Sequence, residues 1–250
     1  MLCGALKPKP SHRPAVEPGP GANDPAALAV LDRAVAALDP ARVQWLQAKV
    51  WHRAECEDFC FQACGRLLTA PGERSRYDLN VKVGKSVGEL RVVCDGQGLW
   101  QSLRVGGNKA MVRRWELPAT PEQAAARLQL LRSYGFAGLA PMLRGLRECA
   151  RGARSAPLRW NGREVIVVAL AIPNVEGESA ADYVPARLQL RQCCLFLDAQ
   201  TLWPHRVEWW GAEDAGRPNR LLMQTEYRGA VLNQPLSAER CAAEFTFSPG

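Results

Sequence analysis

Alternation of apolar and polar positions marks most of the chain as strand. Tyr77, Leu79, Val81 and Val83 alternate with Asp78, Asn80 and Lys82, and Leu46, Ala48 and Val50 alternate with Gln47 and Lys49. Further extended stretches are expected over 59–69, 90–94, 99–105, 109–115, 188–197, 206–210, 221–228 and 245–247. Val165 to Ile172 is apolar without alternation, so both of its faces should be covered. Turn signals separate these runs: Asp95-Gly96, Gly106-Gly107-Asn108 and Asn161-Gly162. The strands come in two blocks, about ten in all, with no strand–helix alternation and no internal repeat, which points to an antiparallel sheet.

Helical spacing appears at the start and in the middle. Asp24-Pro25 reads as a cap and first helical residue, followed by Leu28, Leu31, Val35 and Leu38. Thr120-Pro121-Glu122-Gln123 has the form of a capping box, with Leu128, Leu131 and Tyr134 on one face, predicting a helix over 121–134. A second short helix is expected over 138–150, with Leu139, Met142, Leu143 and Leu146 as its apolar stripe. The segment before residue 24 is rich in proline and glycine and poor in apolar groups, so residues 1–23 are expected to form a disordered tether and 24–250 a single domain.

Charge adds little. The formal net charge is +7, but the arginines are scattered and read as a solvated surface rather than a nucleic-acid footprint. The densest set is Arg144, Arg147, Arg151 and Arg154, of which the first three fit one helical stripe. No apolar run approaches the ~20 residues that a membrane-spanning helix needs. Met1 to Leu6 is too short for a secretory signal, whereas Cys3-Gly4-Ala5 looks like the start of a mature bacterial lipoprotein, leaving a truncated start or a lipidated Cys3 as the two readings of this end.

No constellation of catalytic residues emerges. Cys56, Cys60 and Cys64 are spaced more widely than the usual pairs of a zinc site and read as small buried thiols. The adjacent Cys193 and Cys194 should point to opposite faces of a strand. Three histidines, His12, His52 and His205, are not gathered with a nucleophile and an acid. Gly84-Lys85-Ser86 lacks the glycine-rich lead-in of a phosphate loop. The chain therefore reads as non-enzymatic, with no cofactor and no metal.

Four stretches resemble the bacterial outer-membrane lipoprotein carrier (LolA/LolB-like) superfamily. They are Leu46 to His52 as a first strand, Val93-Cys94-Asp95-Gly96-Gln97-Gly98-Leu99-Trp100 as a hairpin, Phe196 to Val207 as a second hairpin, and Phe245-Thr246-Phe247-Ser248-Pro249-Gly250 as a closing strand. The resemblance spans about residues 26–250. It implies a mainly β fold with α: a half-open, curved antiparallel sheet of about eleven strands, an incomplete barrel, with helices covering the concave face over an apolar cavity for acyl chains. It also implies a cell-envelope or periplasmic location.

On that resemblance the cavity candidates are Leu46, Val50, Tyr77, Leu79, Val81, Leu90, Val92, Trp100, Leu139, Leu143, Leu146, Leu188, Leu190, Val207 and Trp209. The expected function is non-enzymatic binding of lipid or lipoprotein acyl chains as a carrier or acceptor. The competing expectation is a regulatory or scaffold module that uses the same fold to bind an envelope protein. The expected partners are lipid or lipoprotein acyl chains, with no nucleic acid, and the chain is expected to be a monomer.

Overall fold

The computed structural model describes residues 15–19, 21–55, 60–72, 74–116, 138–172, 189–212 and 220–247. Eleven strands form one open antiparallel sheet. The first block is a meander of β1 (Leu46–Glu55), β2 (Cys60–Ala70), β3 (Arg74–Val83), β4 (Ser86–Cys94), β5 (Gly98–Val105) and β6 (Met111–Glu116). The second is a meander of β7 (Arg151–Trp160), β8 (Arg163–Ala171), β9 (Gln189–Asp198), β10 (Pro204–Ala212) and β11 (Arg220–Leu232). Pairing of β1 with β11 joins the two blocks, from Leu46 opposite Leu232 to Ala54 opposite Met223. The order across the sheet is therefore β6-β5-β4-β3-β2-β1-β11-β10-β9-β8-β7, with β6 and β7 outermost.

Register shifts bend several strands, among them at Gln47/Lys49, Trp209/Trp210 and Arg151/Arg154. Turn chemistry fixes the hairpins. Asp95 Oδ1 accepts from the Gln97 and Gly98 N–H groups at 2.8 and 2.7 Å. Asp198 Oδ1 accepts from the Gln200 and Thr201 N–H groups at 3.1 and 2.9 Å. Asn161 and Gly162 adopt φ of 49° and 78°, as a two-residue hairpin loop demands.

Helix α1 (Pro25–Ala37) starts where expected: Asp24 accepts the Ala26 N–H at 2.9 Å and Pro25 occupies the first turn. Its buried face is Ala27, Val30, Leu31 and Ala34. Helix α2 (Leu139–Glu148) buries Leu139, Met142, Leu143 and Leu146. Both helices pack into the single large apolar cluster on one face of the sheet. The helix expected over 121–134 lies outside the described residues. Among the described residues no helix is long and apolar enough to cross a membrane.

Three expectations change. The closing strand over 245–247 is instead the end of helix α3 (Ala238–Phe245), followed by Thr246 and Phe247. Ser237 caps α3 by accepting the Arg240 N–H, and Cys241 and Phe245, four residues apart, share its buried face. Helical periodicity here outweighs the short Phe-x-Phe alternation. Secondly, α2 stops at Glu148, so Arg151 belongs to β7 and leaves the expected arginine stripe. Thirdly, β7 itself carries little alternation and was not among the predicted strands. It lies at the sheet edge, where Pro157 is tolerated because no further strand needs its missing N–H.

The other sheet face is divided. Val165, Val167, Ala169, Cys194, Phe196 and Trp210 form one cluster there, so both faces of β8 are covered. Leu68, Ala70, Cys241 and Phe245 form another beneath α3. Cys193 joins the large core and Cys194 the opposite cluster, as strand alternation requires. Cys60, Cys149, Cys194 and Cys241 are free thiols.

Residues 15–19 and 21–24, within the proline-rich segment expected as a tether, lie along β7. The Gly19 N–H donates to the Gly152 carbonyl at 2.8 Å, and the Asp24 N–H to Ala153 at 2.9 Å. Asn23 bridges the same strand, donating to the Ala150 carbonyl and accepting from the Ala153 N–H. Val16 packs on the cluster containing Trp210, and its carbonyl accepts from Gln192 at 2.7 Å. The segment thus passes over the β7 edge from one sheet face to the other, where α1 begins. Gly152 permits this approach: it sits at φ +56°, and a Cβ there would lie 2.2 Å from the Gly19 carbonyl oxygen. A Gly152→Ala variant should release the segment. Limited proteolysis should then cut within 15–24 much faster than in the parent, with the Tm falling by only a few degrees; unchanged cleavage would contradict this docking.

Candidate functional site

The helix-covered face is the product of strand alternation. Leu46 and Val50 from β1, Tyr77, Leu79 and Val81 from β3, Leu90 and Val92 from β4, and Val207 and Trp209 from β10 all project into one cluster. Leu139, Leu143 and Leu146 from α2 enter the same cluster from above. Leu190 is partly buried against it. Leu188 lies outside the described residues.

Trp100 does not share that face. It stacks on Phe247 with ring centroids 5.0 Å apart and planes 6° apart, and the Arg114 guanidinium lies 4.7 Å from its centroid. Register explains the difference: Leu99, opposite Cys94, faces the core, so its neighbour Trp100 faces the other way.

This apolar face is filled rather than hollow. Twelve of the candidates are no more than 4 % exposed. A small cavity of about 50 Å³ remains where the end of α1, the start of β1, the β2–β3 turn and the start of α2 meet. Toward the tips of β2, β5 and β6 the cover thins. Phe61, Leu103 and Val105 are half-buried, and Met111 is 54 % exposed.

Sequence reasoning missed the polar groups set into this face. His52 and Thr225 face one another across the β1–β11 pair, with Nδ1 and Oγ1 2.8 Å apart. His52 also meets the Phe61 ring edge-on at 5.8 Å. Tyr77 and Tyr227 are both fully enclosed, and burial pushes their phenols well above the ordinary range. Ser75, 3 % exposed, sits beside the start of α2. In-phase spacing was the available signal: His52 continues Leu46-Ala48-Val50, and Ser75 precedes Tyr77-Leu79-Val81 at the same period.

On the opposite face Asp78 accepts from Arg66, Arg76 and Arg91 at 2.9, 2.8 and 3.2 Å. Burial alone would raise its carboxyl, but Arg76 and Arg66 hold it below the usual range. Glu244 of α3 pairs with Arg66 at 2.7 Å, and its carbonyl accepts from Arg76. A polar hollow of about 530 Å³ lies over this array, lined by Arg66, Arg76, Arg91 and Arg104 against Asp78 and Glu89. Nearer β11, Arg206 is buried between the Trp160 and Phe196 rings and contacts Glu208 and Glu226. Among the described residues no group of three or more histidine, cysteine, aspartate or glutamate side chains is placed to hold a metal ion.

No family model matches this chain, and no curated protein matches it. Solved structures do. LprF from Mycobacterium bovis matches with a TM-score of 0.44 and 13% identity, over 87% of this chain and 97% of that one. A DUF1329 family protein from Desulfovibrio piger gives 0.41 and 9%, over 88% and 96%. A putative outer membrane lipoprotein-sorting protein domain from Vibrio parahaemolyticus gives 0.36 and 11%, over 85% and 94%.

His52 supplies a measurable property of this face. Burial pulls its imidazole from 6.5 down to about 4. The unfolded chain therefore binds the proton more tightly than the folded one. Stability is complete above about pH 6.5, falls as pH drops toward 4, and levels off once the folded imidazole also protonates. The loss should be on the order of 3 kcal/mol. Urea unfolding at pH 7 and pH 4.5 should show it, and a His52→Gln variant should lack that part of the acid slope.

Proposed function

We propose that this protein binds lipid or lipoprotein acyl chains, without catalysis, on the sheet face that α2 now covers, and that it serves as a carrier or acceptor in the bacterial cell envelope. The observation that supports the reading is the combination of a continuous apolar sheet face with a short helix whose hold on it is almost wholly apolar. Helix α2 has ten residues, fewer than an isolated helix needs to persist in water. Gly138 at its N-cap offers no side-chain cap, and Gly145 lies in its interior. The ion pair of Arg147 with Asp32 of α1, at 2.6 Å, is on the surface and worth little.

Magnitudes favour an exchange. Burying Leu139, Met142, Leu143 and Leu146 contributes on the order of 6–12 kcal/mol at ~1.5–3 kcal/mol per side chain. An acyl chain of about sixteen carbons gains on the order of 10 kcal/mol on leaving water, at ~0.8 kcal/mol per methylene. A chain that replaced α2 on the sheet would therefore recover much of what the helix gives up. The half-buried Phe61, Leu103 and Val105 extend that apolar surface toward the strand tips.

Fluorescent fatty-acid titration tests this reading. The wild-type protein should bind the probe. A Leu143→Asp, Leu146→Asp double variant should lose that binding while its far-ultraviolet dichroism keeps the sheet signal. Trp100→Ala, on the other face, should bind as the wild type does. A wild-type protein that binds no acyl probe, or a double variant that unfolds entirely, would make α2 a fixed core helix and remove the reading.

A further inference from the structure

The small cavity at the start of α2 carries a chemical signature of its own. Its walls are apolar, chiefly Leu38, Val43, Leu46 and Pro141. Set among them is Ser75, whose Oγ is buried and has no hydrogen-bond partner among the described residues. A buried hydroxyl left without a partner is costly, and such a group in a native fold calls for an explanation. Ser75 belongs to the cavity lining and faces the N-cap of α2: a Cβ added to Gly138 would lie 3.9 Å from Ser75 Oγ.

The start of α2 has the complementary property. The first amides of a helix have no intrahelical acceptor, and the helix dipole makes that end electropositive. Here Gly138 supplies no side-chain cap, and Leu139 and Ala140 carry the first N–H groups before Pro141, which has none. Arg74 and Arg144 also line the cavity, and among the described residues no carboxylate does. Donors, positive potential and apolar walls thus converge on one small space.

We propose that this cavity receives the carboxylate end of an aliphatic chain, with Ser75 Oγ and the first amides of α2 donating to the carboxylate and the methylenes lying against Leu38, Val43 and Leu46. A helix N-terminus binds anions readily; the buried serine hydroxyl adds a directed donor, and the apolar walls select a carboxylate that carries a tail over a bare inorganic anion. The choice of an aliphatic tail rests on the acyl-chain reading above. It gives that reading a polarity: the head sits at the first turn of α2, and the tail takes the sheet face from the rest of the helix.

The probes that separate these claims are hexanoate, hexan-1-ol and inorganic phosphate, titrated into the full-length protein and followed by nuclear magnetic resonance shifts of Leu139 and Ala140. Hexanoate should bind and shift both amides. Hexan-1-ol should bind at least tenfold more weakly. Phosphate should leave the amides unmoved. A Ser75→Ala variant, which removes a buried unpartnered hydroxyl and should fold at least as stably as the parent, should weaken hexanoate by about tenfold. Equal binding of hexanoate and hexan-1-ol, phosphate shifts as large as those of hexanoate, no binding of hexanoate, or an undiminished affinity in Ser75→Ala would each overturn the site. The long-chain probe distinguishes the two readings. If Ser75→Ala leaves hexanoate affinity unchanged while the wild type still takes up the fatty-acid probe, the head site fails and the acyl-chain reading survives. If hexanoate binds through Ser75 and the long-chain probe does not bind, the site stands as one for short carboxylates alone.

Discussion

Pairing of β1 with β11 is the contact on which the rest of the sheet depends. Every other strand pair joins neighbours in sequence, so each block folds as a local meander. This one pair brings Leu46 against Leu232 and turns two half-sheets into a single continuous face. The end at Leu46 and Leu232 is secured by a side chain as well as by the ladder. Asn233, in the left-handed region at φ 55°, accepts from the Gln44 N–H and donates to the Arg42 carbonyl, while its own N–H reaches Trp45. At mid-strand His52 meets Thr225. Without this junction α1 and α2 would have no common surface, because the core beneath them draws on β1, β3 and β4 from one block and on β9, β10 and β11 from the other.

Much of the fold was legible because alternation survives wherever one face is buried and the other wet. Tyr77-Leu79-Val81 and Leu46-Ala48-Val50 fall in phase on the core, and the unbroken apolar run of β8 is covered on both sides. The failures have physical causes. The edge strand β7 buries little of its length, so it carries no period. The end of the chain offers both a Phe-x-Phe alternation and a Cys241–Phe245 helical pair, and the Ser237 cap decides between them. Trp100 was grouped with the cavity on the resemblance, although register gives the inward position to its neighbour Leu99. The polar members of the inner face were overlooked because a serine or histidine interrupts an apolar pattern without declaring which side it faces. Their positions become clear only once the register is known.

The two sheet faces solve burial differently. One carries a single apolar cluster closed by helices and set with a few hydroxyls and one imidazole. The other is a mosaic, with an apolar patch over β8 to β10, a second under α3, and beside α3 on β2 to β4 arginines held by Asp78 and Glu244. The ionic array fixes α3 through directed hydrogen bonds, which resist sliding. The apolar face holds α2 by contact area, which does not. Rigidity is therefore concentrated on one side of the sheet and adaptability on the other.

The N-terminal segment that crosses the β7 edge also sets an order of events. The hydrogen-bond partners of Val16, Gly19, Asn23 and Asp24, at Ala150, Gly152, Ala153 and Gln192, are made more than a hundred residues after them. During synthesis these residues therefore wait until β7 and β9 exist before those contacts can form. Once the second block is in place, they are drawn onto the sheet edge. The docked segment thus marks a molecule whose second block is complete.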